Sequence, residues 1–234
     1  NSGFLNEELD NGTYKGYMPF LDSLMAEGLT FKYSFSNGMK SIDGMPSVLS
    51  GIPMFIEPFF LTPSSLNTVS SIGGELGKKG YYTAFFHGAD NGSMGFEAFA
   101  RTAGYTHYFG RTEYNEANPD NKDFDGHWGI WDEKFFQFFG NTLSGFQQPF
   151  AAALFSLSSH HPFAVPAEYE GVFPKGNKPI RQCIGYTDNA LKLFFEKVSK
   201  EPWYKNTLFV FTADHTNSPE RPEYETELSL IHIS

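Results

Sequence analysis

Cysteine is nearly absent: Cys183 is the only one in 234 residues. That excludes an intrachain disulfide and a thiolate zinc cluster. Basic runs are absent too. The 17 Lys and Arg are outnumbered by 27 Asp and Glu, a formal charge of −10, which argues against a nucleic-acid partner. No apolar run approaches the ~18 residues of a membrane span, and no basic-then-apolar leader opens the chain. Internal repeats and low-complexity linkers are missing. So is a Gly-x-Ser-x-Gly elbow, which leaves a hydrolase-type serine triad without a motif.

Aromatics are plentiful. They make up 18% of the chain, with 26 Phe, so a bulky core is expected. An apolar content of 40%, with 23 glycines besides, is ordinary globular composition and excludes a mainly disordered chain. The length suits one large domain or two small ones.

Patterning predicts alternating helices and strands. Residues 18–29 read as a short amphipathic helix stopped at Gly28. Leu29, Phe31, Tyr33 and Phe35 alternate with more polar residues, as in a strand, before the turn signal Ser36-Asn37-Gly38. Further helices are expected from residue 42, over 65–79, 129–146 and 186–199, and strands over 81–87, 150–156 and 208–212. This alternation implies an α/β layered fold with a largely parallel sheet. Ligands of such sheets bind beyond the strands' carboxyl ends. Four polar clusters fall at those predicted ends: residues 37–41, 87–93, 158–161 and 214–215.

Asp214-His215 pairs a hard carboxylate with a borderline imidazole, a combination suited to Zn²⁺ or Mn²⁺; the plainer alternative is a capping Asp beside an exposed His. Ser41 precedes a helical pattern, so its hydroxyl and the helix N–H groups could meet phosphate, or it could simply cap the helix. Activation by a metal would make it a nucleophile. Ser159-His160-His161-Pro162-Phe163 sets adjacent imidazoles in a proline-stiffened loop, where at most one reaches a common site. It offers a leaving-group acid or phosphate donor, or a surface histidine. His87 poses the same choice. Asn121, Asp123, Asp125, Gly126 and Asp132 occupy positions 1, 3, 5, 6 and 12 of a calcium-loop pattern. Position 12 is Asp rather than Glu, and an ordinary surface turn uses the same residues.

Taken together, Tyr17-Met18-Pro19-Phe20-Leu21-Asp22-Ser23-Leu24, Asn37-Gly38-Met39-Lys40-Ser41-Ile42-Asp43-Gly44, Phe86-His87-Gly88, Ser159-His160-His161-Pro162-Phe163 and Thr212-Ala213-Asp214-His215-Thr216 stand in a telling order. The set resembles the sulfatase-like branch of the alkaline phosphatase superfamily, nearest the lipoteichoic acid synthase (phosphoglycerol transferase) group. The likeness spans roughly residues 10–227. It implies an alkaline-phosphatase-like three-layer sandwich with a mostly parallel central sheet, cut at both ends. Residues 1–227 would be a partial catalytic domain and 228–234 a non-native tail.

The resemblance further implies a metal-dependent phosphotransferase, moving a phosphoglycerol-type group from a membrane phospholipid to a glycan or polymer hydroxyl through a phospho-serine. It places the nucleophile at Ser41, one divalent metal (Mn²⁺, with Zn²⁺ or Mg²⁺ as alternatives) on Ser41, Asp214 and His215, and a phosphate contact at His160. His87, Lys40 and Asn91 would face the substrate. Partners would be a phospholipid head group and a glycan or polymer acceptor. The location would be the cell membrane, with the domain facing outward and tethered by segments outside this chain.

Some of the family's features are missing. No suitably placed Glu precedes Ser41; the family's first strand, carrying a Glu ligand, is expected just before Asn1, so this stretch alone is expected to be inactive. The Trp and Arg that some members carry after the His87 position are replaced by Asn91-Gly92-Ser93-Met94-Gly95-Phe96. Ser41-Ile42-Asp43-Gly44-Met45 lacks the Pro and Arg of the formylglycine signature. A sulfatase or phosphodiesterase on the same fold, and a non-catalytic calcium-binding or degenerate domain, are the alternatives.

Overall fold

A computed structural model describes residues 1–31, 34–54, 56–120 and 122–215. Three parallel strands form the sheet, in the order β2-β1-β3. They are β1 (Tyr82–His87), β2 (His107–Phe109) and β3 (Phe150–Phe155). Ala84 lies opposite His107, and β1 runs in register with β3 from Tyr82–Phe150 to His87–Phe155. Parallel neighbours require crossovers, which helices supply, so both faces are covered.

The period of two along β1 divides the core. Phe85 packs with Met45, Leu49, Phe96 and Phe99 on one side of the sheet. Ala84 and Phe86 turn the other way, onto Tyr114, Ile130 and Phe135. Helices α2 (Ser41–Ser50), α3 (Ile72–Gly77) and α4 (Phe96–Thr102) belong to the first layer. Helices α5 (Arg111–Ala117), α6 (Asp132–Ser144) and α7 (Ile180–Val198) make the second, with α1 (Pro19–Glu27) packed on α7. The result is a three-layer α/β arrangement. Asp188 of α7 also fastens α1: its carboxylate accepts from the N–H groups of Phe20 and Leu21, at 2.9 and 2.8 Å, capping a helix start that has no cap of its own.

Several expectations need correction. Residues 29–31, 34–35 and 208–212 are not strands; they carry no sheet pairing, and Tyr33 lies outside the described residues. Alternation marks side chains able to line a sheet face, but a strand also needs a neighbouring backbone to pair with. The helix expected over 65–79 shrinks to α3, after a 3₁₀ turn at Pro63–Leu66. Gly73 is required there, because the ring of Tyr105 fills the place of any side chain. α7 begins six residues before the expected start, and α4, β2 and α5 were not foreseen.

Candidate functional site

Ser41 is the first residue of α2 and is half-buried; Lys40, extended and exposed, precedes it. One turn along the same helix face, Gly44 meets Asp214. A methyl group at Gly44 would lie 2.6 Å from the Asp214 carbonyl oxygen and 2.8 Å from its Cβ. Gly44, three residues after Ser41 and so on a neighbouring position of the helix surface, therefore sits directly on Asp214. His215 Nε2 is 3.5 Å from Asp214 Oδ2, so imidazole and carboxylate converge. Asp43, between Ser41 and Gly44, is 4% exposed, and its Oδ1 has no hydrogen-bond partner.

β3 leads into the histidine loop, and Asp132 fixes the turn. This carboxylate is fully buried at the start of α6. Oδ1 accepts from Leu157 N–H at 2.8 Å, and Oδ2 accepts from Ser158 N–H at 3.2 Å and the Thr187 hydroxyl at 2.8 Å. Ser158 Oγ in turn accepts from Asp132 N–H at 3.0 Å. Burial pushes the Asp132 carboxyl above its usual range, against the pull of these hydrogen bonds.

Beyond that turn, His160 is exposed. Its ring stands edge-on to Trp128, with centroids 4.3 Å apart. Trp128 Nε1–H donates to the His161 carbonyl. His160 Nδ1 is 3.0 Å from the same carbonyl, which can only accept, so Nδ1 carries the proton of that contact. A small cleft joins His160 to Asp125, Trp128, Trp131 and Ser158. His161 turns instead toward Phe163.

His87 ends β1 and is wholly enclosed. Phe96 and Phe155 flank its ring, Tyr108 Oη lies 3.4 Å from Nδ1, and Nε2 has no partner. Burial lowers its pKa to about 4, so it is neutral at pH 7. Asn91 is spent on scaffolding: Oδ1 accepts from Thr112 N–H, and Nδ2 donates to Glu113. Thus α2 meets Asp214 at Gly44, three residues on from Ser41, and His160 lines a cleft beyond β3. His87 sits behind packed side chains, and Asn91, half-buried, is held by Thr112 and Glu113.

The calcium pattern is overturned at the positions described. Asp125 Oδ1 gathers the N–H groups of His127, Trp128 and Gly129. Asp123 accepts from the Tyr114 hydroxyl at 2.6 Å, and Asp132 faces inward. Asn121 lies outside the described residues. Among the described residues no group of three His, Cys, Asp or Glu could hold a metal. The donors beside α2 are therefore Asp214, His215 and the Ser41 hydroxyl. Their hard and borderline character fits a divalent cation as a partial ligand set. Cys183 is buried, with its thiol pushed up to about 11, and has no nucleophilic character. Asp132 and Trp128 were missed by sequence reasoning. Asp132 was visible only as a calcium-loop position, and Trp128 carried no signal of its own.

A family model described as Sulfatase matches residues 7–229. Phosphoglycerol transferase I of Salmonella paratyphi B (strain ATCC BAA-1250 / SPB7) is 27% identical over 228 residues, covering 88% of this chain and 29% of that protein. The chain thus spans under a third of the length of the curated relatives it matches. Among solved structures, a protein in the alkaline phosphatase superfamily from Vibrio parahaemolyticus superposes with a TM-score of 0.71 at 26% identity, covering 80% of this chain and 46% of its own. The lipoteichoic acid synthase LtaP from Listeria monocytogenes gives 0.75 at 23% identity, covering 93% and 54%. The latter likeness is one of fold.

Proposed function

The chain belongs to the Sulfatase family, and from that premise we propose that it is the catalytic part of a metal-dependent phosphotransferase. It moves a phosphoglycerol-type group from a membrane phospholipid to a hydroxyl of a glycan or polymer. The observation that supports this reading is the contact of Gly44, three residues along α2 from Ser41, with Asp214. Similarity to phosphoglycerol transferase I supports the choice of group.

Ser41, Asp214 and His215 would hold one divalent metal, with Mn²⁺ preferred and Zn²⁺ or Mg²⁺ as alternatives. Such a cation supplies Lewis-acid charge that keeps the serine hydroxyl ionised and draws charge from the phosphoryl oxygen. Ser41 Oγ bonds to phosphorus as the bond to the diacylglycerol oxygen breaks. His160, protonated at Nε2, gives the leaving oxygen its proton. In the second half, Nε2 takes a proton from the acceptor hydroxyl, whose oxygen displaces Ser41 from phosphorus. Trp128 and the His161 carbonyl hold the ring so that Nε2 stays presented. Lys40 adds positive potential beside the nucleophile. Membrane attachment would come from segments outside this chain, with the domain facing outward; no helix among the described residues is long and apolar enough to cross a membrane.

The test is intact mass spectrometry of the protein expressed from its whole gene, with phosphatidylglycerol and Mn²⁺. An adduct is expected on the native protein and none on Ser41→Ala. An adduct surviving in Ser41→Ala removes Ser41 from its role. Turnover of an aryl sulfate without any of a bis-aryl phosphate would favour a sulfatase instead.

A further inference from the structure

The loop after β3 is exposed from His160 to Pro162, so packing alone does not fix its course. Yet it holds a costly conformation. Phe163, a bulky residue, has φ +62°, in the left-handed region that glycine favours. Such a residue persists only where its surroundings hold it. Here the peptide groups on both sides are held. The Phe163 N–H donates to the His160 carbonyl at 2.9 Å, closing the turn that carries the imidazole. The Phe163 carbonyl accepts from the Gln182 side-chain amide at 2.8 Å.

Gln182 stands in the first turn of α7 and is half-buried. Its neighbours on that helix grip the same loop. Cys183 Sγ donates to the Ala164 carbonyl at 3.4 Å. One turn on, the Thr187 hydroxyl lies 3.2 Å from Ser159 Oγ. Thr187 gives its only proton to Asp132, so Ser159 is the donor between the two hydroxyls. The loop is thus tied to α7 on both sides of His160, while Trp128 donates to the His161 carbonyl between those ties.

The ties have different effects. Asp132 and Thr187 fix the loop where it leaves the sheet. Gln182 acts on the turn itself, by orienting the peptide of Phe163 that closes onto His160. Inside that turn the His161 carbonyl stays 3.0 Å from His160 Nδ1, and such a partner selects the tautomer of the ring. We propose that Gln182 is a positioning residue for His160: acting through Phe163, it holds the neutral imidazole in the form protonated at Nδ1. Its part in turnover rests on the phosphotransferase reading above; its hold on the ring does not.

The hold is tested by long-range ¹H–¹⁵N NMR of the whole protein labelled in histidine, at about pH 9, well above the ~6.5 of a model imidazole. His160→Gln identifies the signal. The native ring should be the Nδ1–H form. Gln182→Met keeps the length of the side chain and removes the donor, and should shift the ring toward the Nε2–H form. Gln182→Lys, which supplies a donor again, should restore the native form. Should the methionine variant fail to fold, Gln182→Glu, ionised and without a donor, takes its place. A native ring in the Nε2–H form, or a tautomer that Gln182→Met leaves unchanged, overturns the proposal whatever the variant does to stability. The part in turnover is read with phosphatidylglycerol: Gln182→Met should lower kcat about tenfold, within the ~10²–10⁴ that a positioned acid supplies, with KM unchanged. A native kcat, or a loss confined to KM, overturns that part. Absence of any adduct on the native protein overturns the phosphotransferase reading and leaves the tautomer result standing.

Discussion

At His87 burial decides the protonation state. The folded protein holds it near pKa 4, while the unfolded chain keeps the ordinary 6.5. A depressed histidine leaves the native state neutral where the unfolded state has already gained a proton. Its stabilising contribution is complete above pH 6.5 and is lost as pH falls from there to about 4. Over the full window the loss is roughly 3 kcal/mol. Urea melts at pH 7, 5.5 and 4.5 should show falling stability in the native protein and a flatter profile in His87→Leu. An equal acid slope in the variant would assign the effect elsewhere. Asp132 poses the complementary case. Asp132→Ala strands two N–H groups and a hydroxyl in the interior, so the urea midpoint should fall by the equivalent of about 3 kcal/mol. A loss below roughly 1 kcal/mol would show that the turn after β3 is held by other contacts.

At the scale of elements, Gly44 separates propensity from packing. Glycine inside a helix ordinarily gives up about 1 kcal/mol to alanine, so Gly44→Ala should stabilise α2 if nothing stood opposite. Asp214 does stand opposite, at 2.6 Å from the added methyl. The expected outcome is a less stable protein whose Mn²⁺ affinity, read by calorimetry, drops about tenfold as Asp214 is pushed aside. A stabilised variant with unchanged affinity would separate α2 from the proposed metal site. The same contrast explains what was legible in sequence. β1 and β3 were placed nearly to the residue, because glycine, proline and Gln-rich breaks bound short apolar runs. The start of α7 was not: Gly185 lies inside the helix, where its missing side chain makes room for Phe173, 3.1 Å from where a Cβ would sit. α4, β2 and α5 are seven, three and seven residues long, too short for a periodic signal. In the candidate site, residue types were readable at Ser41, His160, Asp214 and His215. Asp132's task was not, since its partners stand 25, 26 and 55 residues away in the chain.

For the molecule as a whole, two exposed apolar segments that show no strand pairing among the described residues matter most. Leu208 is 87% exposed, Val210 77% and Leu29 86%, and Phe31 and Phe35 are also bare. Extended, apolar and unpaired backbone is a template for another chain. The formal charge of −10 opposes that encounter. Salt removes the opposition, since repulsion between surface charges is screened beyond about 10 Å at 0.1 M. Residues 1–234 expressed alone should therefore sediment as a monomer at low salt and self-associate as salt rises. Two substitutions separate the causes. Leu208→Glu with Val210→Glu strengthens repulsion and spoils the apolar edge; Leu208→Lys with Val210→Lys spoils the edge while weakening repulsion. If the edge drives association, sedimentation velocity should show both pairs restoring the monomer at high salt. If only the glutamate pair does so, net charge is in control and the extended segments are bystanders. A native chain that stays monomeric at high salt would mean that these side chains, though bare, do not recruit a partner strand.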